Sequence, residues 1–225
     1  MNYLNDLNPV QREAVEHRDG PLLILAGAGS GKTRVLTYRI AHLLTQGVEP
    51  WQILAITFTN KAAQEMRERV TALIGNEARG MCVMTFHAAC VRILRQDINC
   101  LPGYDRNFVI YDTTDQQALI KACLKEANLD EKKFPPRAVG AAISDAKNKL
   151  LSPQEYAARA DDYFEQVVAQ IYESYQKKLK ANNAVDFDDL IMLTVWLLRD
   201  NPQVLEYYQE RFRYILVDEY QDTNH

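Results

Sequence analysis

The sequence predicts an α/β fold in which a parallel sheet is covered by helices and interrupted by an inserted, all-helical segment. Short apolar runs alternate with helical patterns over residues 1–100, which is typical of an open parallel sheet wrapped by helices. Over residues 101–184 the alternation stops and helical patterns dominate. An apolar run returns within residues 185–225, so we expect one sheet domain in two parts with a helical insertion between them.

Length and composition limit the classes of protein to which the chain can belong. Its 225 residues are 47% hydrophobic, which is enough for a sizeable core. A net charge of −4 excludes an overall basic field, so any nucleic-acid site must be a local patch. With no signal peptide and no apolar stretch of about 18 residues, a cytoplasmic protein without membrane contact is expected. No close cysteine pair indicates zinc or disulfides, and reduced core thiols are predicted at Cys82, Cys90, Cys100 and Cys123.

A glycine-rich segment near the N-terminus predicts a phosphate-binding loop. After the apolar run 22–25, a strand would lead the chain into glycines whose N–H groups can surround an anion at a helix start. Lys32 then supplies positive charge to the β- and γ-phosphates of a nucleotide, and the Thr33 hydroxyl supplies a ligand to Mg²⁺. Ala26 stands where glycine is usual, so the turn must tolerate a Cβ there. The loop comprises Ala26, Gly27, Ala28, Gly29, Ser30, Gly31, Lys32 and Thr33.

Other signals place the elements around this loop. Asn8 and Pro9 start a short helix from which Gln11 projects, and a glutamine amide complements an adenine edge. Buried strands are predicted at residues 53–58 and 81–86, each followed by a helix with an apolar stripe.

Helix start signals recur in the predicted insertion and just after it. Thr113 with Gln116, and Ser152 with Glu155, have the spacing of capping boxes. Asp186 can cap the helix that follows.

An acidic pair follows the last apolar run, Tyr214 to Val217, which predicts a buried strand. Ligand-binding groups of parallel sheets lie at the carboxyl ends of strands, so Asp218 and Glu219 are expected beside the phosphate-binding loop. There Asp218 would hold Mg²⁺, and Glu219 would orient and deprotonate the water that attacks the γ-phosphate.

Six ordered blocks of the chain resemble the superfamily 1 DNA helicases of the UvrD, Rep and PcrA group. The resemblance covers essentially the whole chain and includes the alanine at position 26, which is usual in this group. It implies a RecA-like P-loop NTPase sheet with an inserted helical subdomain, present here as an N-terminal fragment. The blocks are residues 7–15, 26–34, 56–63, 85–87 with 90–95, 185–190 and 217–224.

The resemblance also implies site residues and partners. Gln11 corresponds to the glutamine that recognises adenine, and Arg34 to an arginine near the base, which makes ATP with Mg²⁺ the expected nucleotide. The implied partner is single-stranded DNA, including its junctions with duplex, because an aromatic ring at a strand end is a sequence-tolerant stacking platform. Phe58 could instead belong to the core, and His87 could cap its helix. The DNA-contacting candidates are Phe58, Asn60, Thr85 and His87.

The expected function is therefore that of the N-terminal part of an ATP-dependent DNA helicase or translocase acting in DNA repair or replication. Relatives continue with a second RecA-like domain and with arginines that reach the γ-phosphate, so this fragment alone is expected to hydrolyse ATP very poorly. One alternative is a P-loop nucleotide switch or kinase that does not act on DNA. Another is a binding module without catalysis of its own.

Overall fold

The structure is a computed structural model that describes residues 3–27 and 29–223. It is a mixed α/β protein with a small parallel sheet and many helices. The helices are α1 (Pro9–Glu16), α2 (Lys32–Thr45), α3 (Asn60–Ile74), α4 (Phe86–Asp97), α5 (Thr113–Glu126), α6 (Pro136–Asn148), α7 (Pro153–Ala157), α8 (Tyr163–Ala181), α9 (Phe187–Asp200) and α10 (Pro202–Arg211). The strands are β1 (Ile53–Thr57), β2 (Cys82–Thr85), β3 (Val109–Ile110), β4 (Ala184–Val185) and β5 (Tyr214–Val217).

Backbone contacts divide the described chain into two units. The first contains residues 3–89 and 205–223, and the second contains residues 90–204. The divisions fall within α4 and α10. The predicted insertion, residues 101–184, lies inside the second unit, whose limits are wider. The assignment of residues 1–100, 101–184 and 185–225 to functional domains stays a prediction.

The strands of the first unit form a parallel sheet in the order β2-β1-β5. In the central strand β1, Ala55 is in register with Val83 of β2 and with Leu216 of β5. Successive residues of a strand face opposite sides, and here one side packs against α2 and α3 while the other packs against Phe86 and Phe212. Every residue of β1 is buried, as its continuous apolar sequence predicts.

The predicted strand at residues 22–25 is wrong. Residues 21–27 form no strand, and Leu22, Leu23 and Leu25 are 40%, 65% and 86% exposed. An apolar run forms a buried strand only where another strand pairs with its backbone, since unpaired N–H and C=O groups are costly to bury. No strand of the described chain pairs with this run, so an irregular segment leads into the glycine-rich loop.

Helix capping follows the predicted chemistry with one correction. The N-caps of α1, α7 and α9 are Asn8, Ser152 and Asp186, as expected, and each of them forms a capping box. The cap of α5 is Asp112 rather than Thr113, and its partner is Asp115 rather than Gln116 (Asp112 Oδ1 accepts from the Asp115 N–H at 2.9 Å). Asp112 has extended backbone angles, whereas the next residue is already helical.

The second unit is mainly helical but contains a short parallel pair of strands, β3 and β4, which the sequence analysis missed. Two-residue strands carry too little periodic sequence to be recognised. A long apolar stripe runs along α8, where Val168, Ile171, Tyr175 and Leu179 are fully buried. They pack with α5 and α6 into one core cluster.

Lys147 of α6 is fully buried beside two aspartates at the start of α9. Its Nζ lies 2.7 Å from Asp186 Oδ2 and 2.8 Å from Asp189 Oδ1. From α8, the Tyr175 hydroxyl donates to Asp186 at 2.8 Å and the Gln176 amide donates to Asp189 at 3.1 Å. The cluster ties α6, α8 and α9 together. Removing one member of a buried ion pair typically costs about 3–5 kcal/mol because it leaves the other charge unpaired.

The predicted core placement of the cysteines is confirmed at three of four positions. Cys82, Cys90 and Cys123 are buried, whereas Cys100 is exposed.

Among the described residues, no helix combines the length and the apolar character that crossing a membrane requires.

Candidate functional site

The glycine-rich loop turns tightly before α2. Gly29 and Gly31 have φ values of 74° and 90°, a region that side chains rarely adopt, and Gly31 precedes the first residue of α2. The loop closes on itself through the Ser30 hydroxyl, which donates to the Gly27 carbonyl at 2.6 Å. Ala28, one of the predicted loop residues, lies outside the described residues. A tight glycine turn at the start of a helix is typical of loops that bind anions.

Lys32, the first residue of α2, folds back over the loop. Its Nζ donates to the carbonyls of Ala26 at 3.1 Å and Gly27 at 3.4 Å. These are neutral acceptors, and an ammonium forms stronger hydrogen bonds with phosphate oxygens. The Lys32 ammonium can therefore exchange these carbonyls for an anionic ligand that binds in the loop.

The loop and the acidic pair meet although 185 residues separate them. The Thr33 hydroxyl, at the start of α2, donates to Asp218 Oδ2, just after the end of β5, at 3.4 Å. The Asp218 N–H also donates to the Ile56 carbonyl at 2.9 Å, which continues the β1-β5 ladder beyond the strand and fixes the Asp218 backbone. The structure therefore brings together the hydroxyl and the carboxylate that the sequence analysis selected as ligands of one Mg²⁺.

Asp218 is only 9% exposed. Burial, followed by repulsion from the Glu219 carboxylate, raises the pKa of Asp218, although the Thr33 hydroxyl and the Lys32 charge act in the opposite direction. A bound cation would remove the repulsion between the two carboxylates and favour their ionised forms.

Glu219 has a left-handed backbone conformation, with φ 52° and ψ 50°. For a residue with a Cβ this costs roughly 1–2 kcal/mol. The conformation turns the chain from β5 into the short 3₁₀ helix Tyr220–Asp222, and the Gln221 amide donates to Glu219 Oε2. Strained conformations of non-glycine residues concentrate at functional sites, and Glu219 is a candidate site residue.

Gln11 reaches the loop from α1. Its Oε1 accepts from the Asn8 N–H at 3.1 Å, which closes the capping box, and its Nε2 donates to the Ser30 carbonyl at 3.1 Å. A Cβ added at Gly31 would lie 3.1 Å from the same Nε2 atom. The amide is therefore packed tightly against the end of the loop.

Arg34 of α2 is exposed, and its guanidinium lies 5.3 Å from the centre of the Tyr38 ring. The Tyr38 hydroxyl in turn donates to Asp6 at 3.4 Å, and its ring packs edge-on against Tyr3. This contact was not predicted from the sequence. The spacing of four residues on one helix is the signal that could have found it.

The four predicted DNA-contacting residues gather at the carboxyl ends of β1 and β2, which are in register at Thr57 and Thr85. Phe58 lies one residue beyond β1 and is 49% exposed, so it is not a core residue; its ring packs edge-on against Phe86. Asn60 starts α3 and is exposed.

The Thr85 hydroxyl accepts from the Ala88 N–H at 3.2 Å and so caps the first turn of α4. His87 is exposed in that turn. Thr85 therefore caps this helix, a role that the sequence offered as an alternative for His87.

The residues fit a magnesium nucleotide better than a bare metal ion. No group of three or more histidine, cysteine or acidic side chains that could hold a metal occurs in the part of the chain that the structure describes. Mg²⁺ usually keeps several waters and takes one or two carboxylates together with substrate phosphates. One hydroxyl and one buried carboxylate beside an anion-binding loop are the protein ligands that such a site needs.

Comparisons with known proteins show to which family the chain is similar. The family model of the UvrD/REP helicase N-terminal domain matches residues 7–225. The chain is 57% identical over its whole length to the ATP-dependent DNA helicase PcrA of Bacillus subtilis, of which it covers 31%. Over 98% of the chain it is 56% identical to PcrA of Staphylococcus aureus, and it covers 30% of that protein. It is also 55% identical to PcrA of Staphylococcus epidermidis over its whole length, covering 31%.

Proposed function

The chain belongs to the UvrD/REP helicase family through its N-terminal domain, and from this premise we propose that it is the ATP-binding, N-terminal part of an ATP-dependent DNA helicase. The relatives named above carry that activity in their names, and this chain spans about 31% of the length of the most extensively covered ones. The observation that carries the proposal is the approach of Thr33 to Asp218 at 3.4 Å.

The proposed nucleotide site assigns phosphate binding, metal binding and activation of water to three sets of groups. The loop N–H groups and Lys32 bind the β- and γ-phosphates. Thr33 and Asp218 hold Mg²⁺, which neutralises charge on the phosphate oxygens when bound. Glu219 orients the attacking water and accepts its proton.

Recognition of the base falls to Gln11, whose amide offers both a donor and an acceptor, and to Arg34. Support for the Gln11 role comes from its contact with the Ser30 carbonyl at the end of the loop.

Single-stranded DNA is the proposed second ligand of the first unit. The half-exposed Phe58 ring supports this role, because an aromatic side chain at a strand end can stack on any base. Asn60, Thr85 and His87 complete the proposed contact surface.

We further propose that the three-stranded sheet is part of a RecA-like P-loop domain and that residues 101–184 form a subdomain inserted into it. The parallel strands on either side of a mainly helical segment support this organisation.

The proposal predicts that ATP turnover by the full-length protein rises when single-stranded DNA is added. Lys32→Ala should lower kcat by at least about 100-fold, since the loss of one preorganised group on the transferred phosphate commonly costs that much. Steady-state ATPase assays with and without oligonucleotide measure both effects. Lys121→Ala is the matched control, because Lys121 is an exposed lysine that pairs with Glu131 in the second unit.

Turnover that stays flat on addition of DNA would instead favour a nucleotide switch or kinase. Unwinding that persists in Lys32→Ala would remove Lys32 from the mechanism.

A further inference from the structure

Arg39 of α2 is a buried cation whose hydrogen-bond acceptors are backbone carbonyls. The residue is only 8% exposed, and burial lowers the pKa of its guanidinium. Its Nη1 donates to the Ala14 carbonyl at 3.0 Å and to the His17 carbonyl. Desolvating a guanidinium is costly, and these two hydrogen bonds offset part of that cost.

Both carbonyls lie at the C-terminal end of α1, which spans Pro9–Glu16 with His17 as its C-cap. The last four carbonyls of a helix have no helical N–H partner, and they carry the negative end of the helix dipole. A guanidinium is therefore suited to this place: it satisfies carbonyls that α1 cannot satisfy itself. Through these bonds Arg39 holds the C-terminal end of α1 against α2, the helix that begins at the phosphate-binding loop.

The helix that Arg39 holds is short and has few other anchors. An eight-residue helix is marginal on its own, and Val15 is its one buried residue. Gln11 lies six residues before His17, roughly 9 Å along the helix axis. A tilt of about 6° at the C-terminal end would therefore move the Gln11 amide by about 1 Å, a displacement large enough to disturb recognition.

We propose that Arg39 is a positioning residue that sets the preference for adenine by holding α1, and with it Gln11, against the end of the loop. The inference rests on the proposed function, in which Gln11 binds the adenine edge. Arg39 makes no contact with the base in this proposal. Its effect passes through Gln11.

The test uses the full-length protein and measures kcat and KM for ATP and for GTP with saturating single-stranded DNA. Gln11→Ala should lower the ATP-over-GTP ratio of kcat/KM by about tenfold, the value of one to two hydrogen bonds. Arg39→Gln should lower the ratio to a similar extent, mainly by raising the KM for ATP, with kcat nearly unchanged. Arg39→Lys keeps the cation and should restore part of the ratio.

The double variant separates positioning from a general loss of structure. If Arg39 acts through Gln11, Gln11→Ala with Arg39→Gln should lower the ratio no further than Gln11→Ala alone. Arg12→Gln is the control on the same helix, since Arg12 is exposed and pairs with Glu16. It should leave the ratio unchanged.

Additive losses in the double variant, or an Arg39→Gln protein that keeps the full ATP preference, would overturn the inference. A wild-type ratio near one, or a Gln11→Ala protein that keeps the preference, would overturn it as well, because there would be no base contact to position. An absence of ATP turnover in the wild-type protein would refute the proposed function itself.

Discussion

Two aspartates that contact the same lysine ionise differently in the second unit. Both Asp186 and Asp189 lie within 2.8 Å of the Lys147 ammonium. For Asp186, burial opposes ionisation, but the Lys147 charge and a Tyr175 hydrogen bond outweigh it and lower its pKa. For Asp189, burial followed by repulsion from Asp186 raises the pKa to about 6. One ammonium cannot fully compensate two buried carboxylates, so the second one holds its proton more tightly.

This difference predicts a pH dependence of stability. The pKa of Asp189 rises on folding from its ordinary 3.8 to about 6, so the folded state binds a proton more tightly than the unfolded state between these values. The contribution of this group to the free energy of unfolding therefore falls as pH rises from about 4 to 6, by roughly 2–3 kcal/mol. Asp189→Asn has no such proton to lose, and its stability relative to wild type should rise across that interval.

Urea unfolding of the 225-residue chain at pH 4 to 7 measures the difference. Fluorescence of Trp196 on α9 is the probe, with Trp51 replaced by Phe. Asp145→Asn, which removes an exposed carboxylate paired with Lys149, is the control and should follow the wild-type profile. A constant difference between wild type and Asp189→Asn over this range would contradict the assigned pKa.

At the scale of elements, the start of α5 shows how two adjacent residues compete for one cap. Asp112 and Thr113 can both cap a helix, and each is followed three residues later by a side chain able to complete a box. Asp112 takes the position with extended backbone angles and accepts from two N–H groups, those of Thr114 at 2.7 Å and Asp115 at 2.9 Å. Asp112 rather than Thr113 is therefore the observed cap, and it accepts two hydrogen bonds instead of one.

Asp112→Ala should lower the free energy of unfolding by about 1 kcal/mol, since it leaves two N–H groups of the first turn without their side-chain acceptor. Thr113→Ala should change it by less than about 0.5 kcal/mol, because Thr113 is an exposed residue at the first helical position. Urea denaturation of both variants makes the comparison. Equal losses, or a larger loss for Thr113→Ala, would place the cap one residue later.

At the scale of the whole molecule, part of the apolar surface of the first unit is uncovered. Ile215 of the edge strand β5 is 61% exposed, and Leu23 and Leu25 are more exposed still. The chain also covers only 31% of the Bacillus subtilis relative. On the proposed function, groups that reach the γ-phosphate are contributed from outside these 225 residues.

The chain by itself should therefore turn over ATP much more slowly than the full-length protein. An arginine that stabilises the transferred phosphoryl group contributes about 10³- to 10⁵-fold in rate, and kcat of the chain alone should be lower by at least about 1,000-fold. Single-turnover hydrolysis at equal site concentration measures the ratio, and nucleotide binding by the chain serves as the control for folding. Comparable rates for the two proteins would show that residues 1–225 contain the complete catalytic set.

The sequence by itself determined the features that depend on near neighbours. The caps at Asn8, Ser152 and Asp186, the apolar stripe of α8 and the strand at Tyr214–Val217 follow from spacings of a few residues. These signals act within one turn of helix or one strand, so no distant residue is needed to interpret them.

Tertiary structure alone decided the features that depend on distant partners. The apolar run 22–25 forms no strand because no strand of the described chain pairs with it, and β3 and β4 exist because they pair with each other. The same holds for the carbonyls beside Arg39 and the aspartates beside Lys147. The motifs predicted that Thr33 and Asp218 would lie close together, and the structure adds the 3.4 Å hydrogen bond between them. Burial and ion pairing are properties of space, so residues far apart in the chain determine them together.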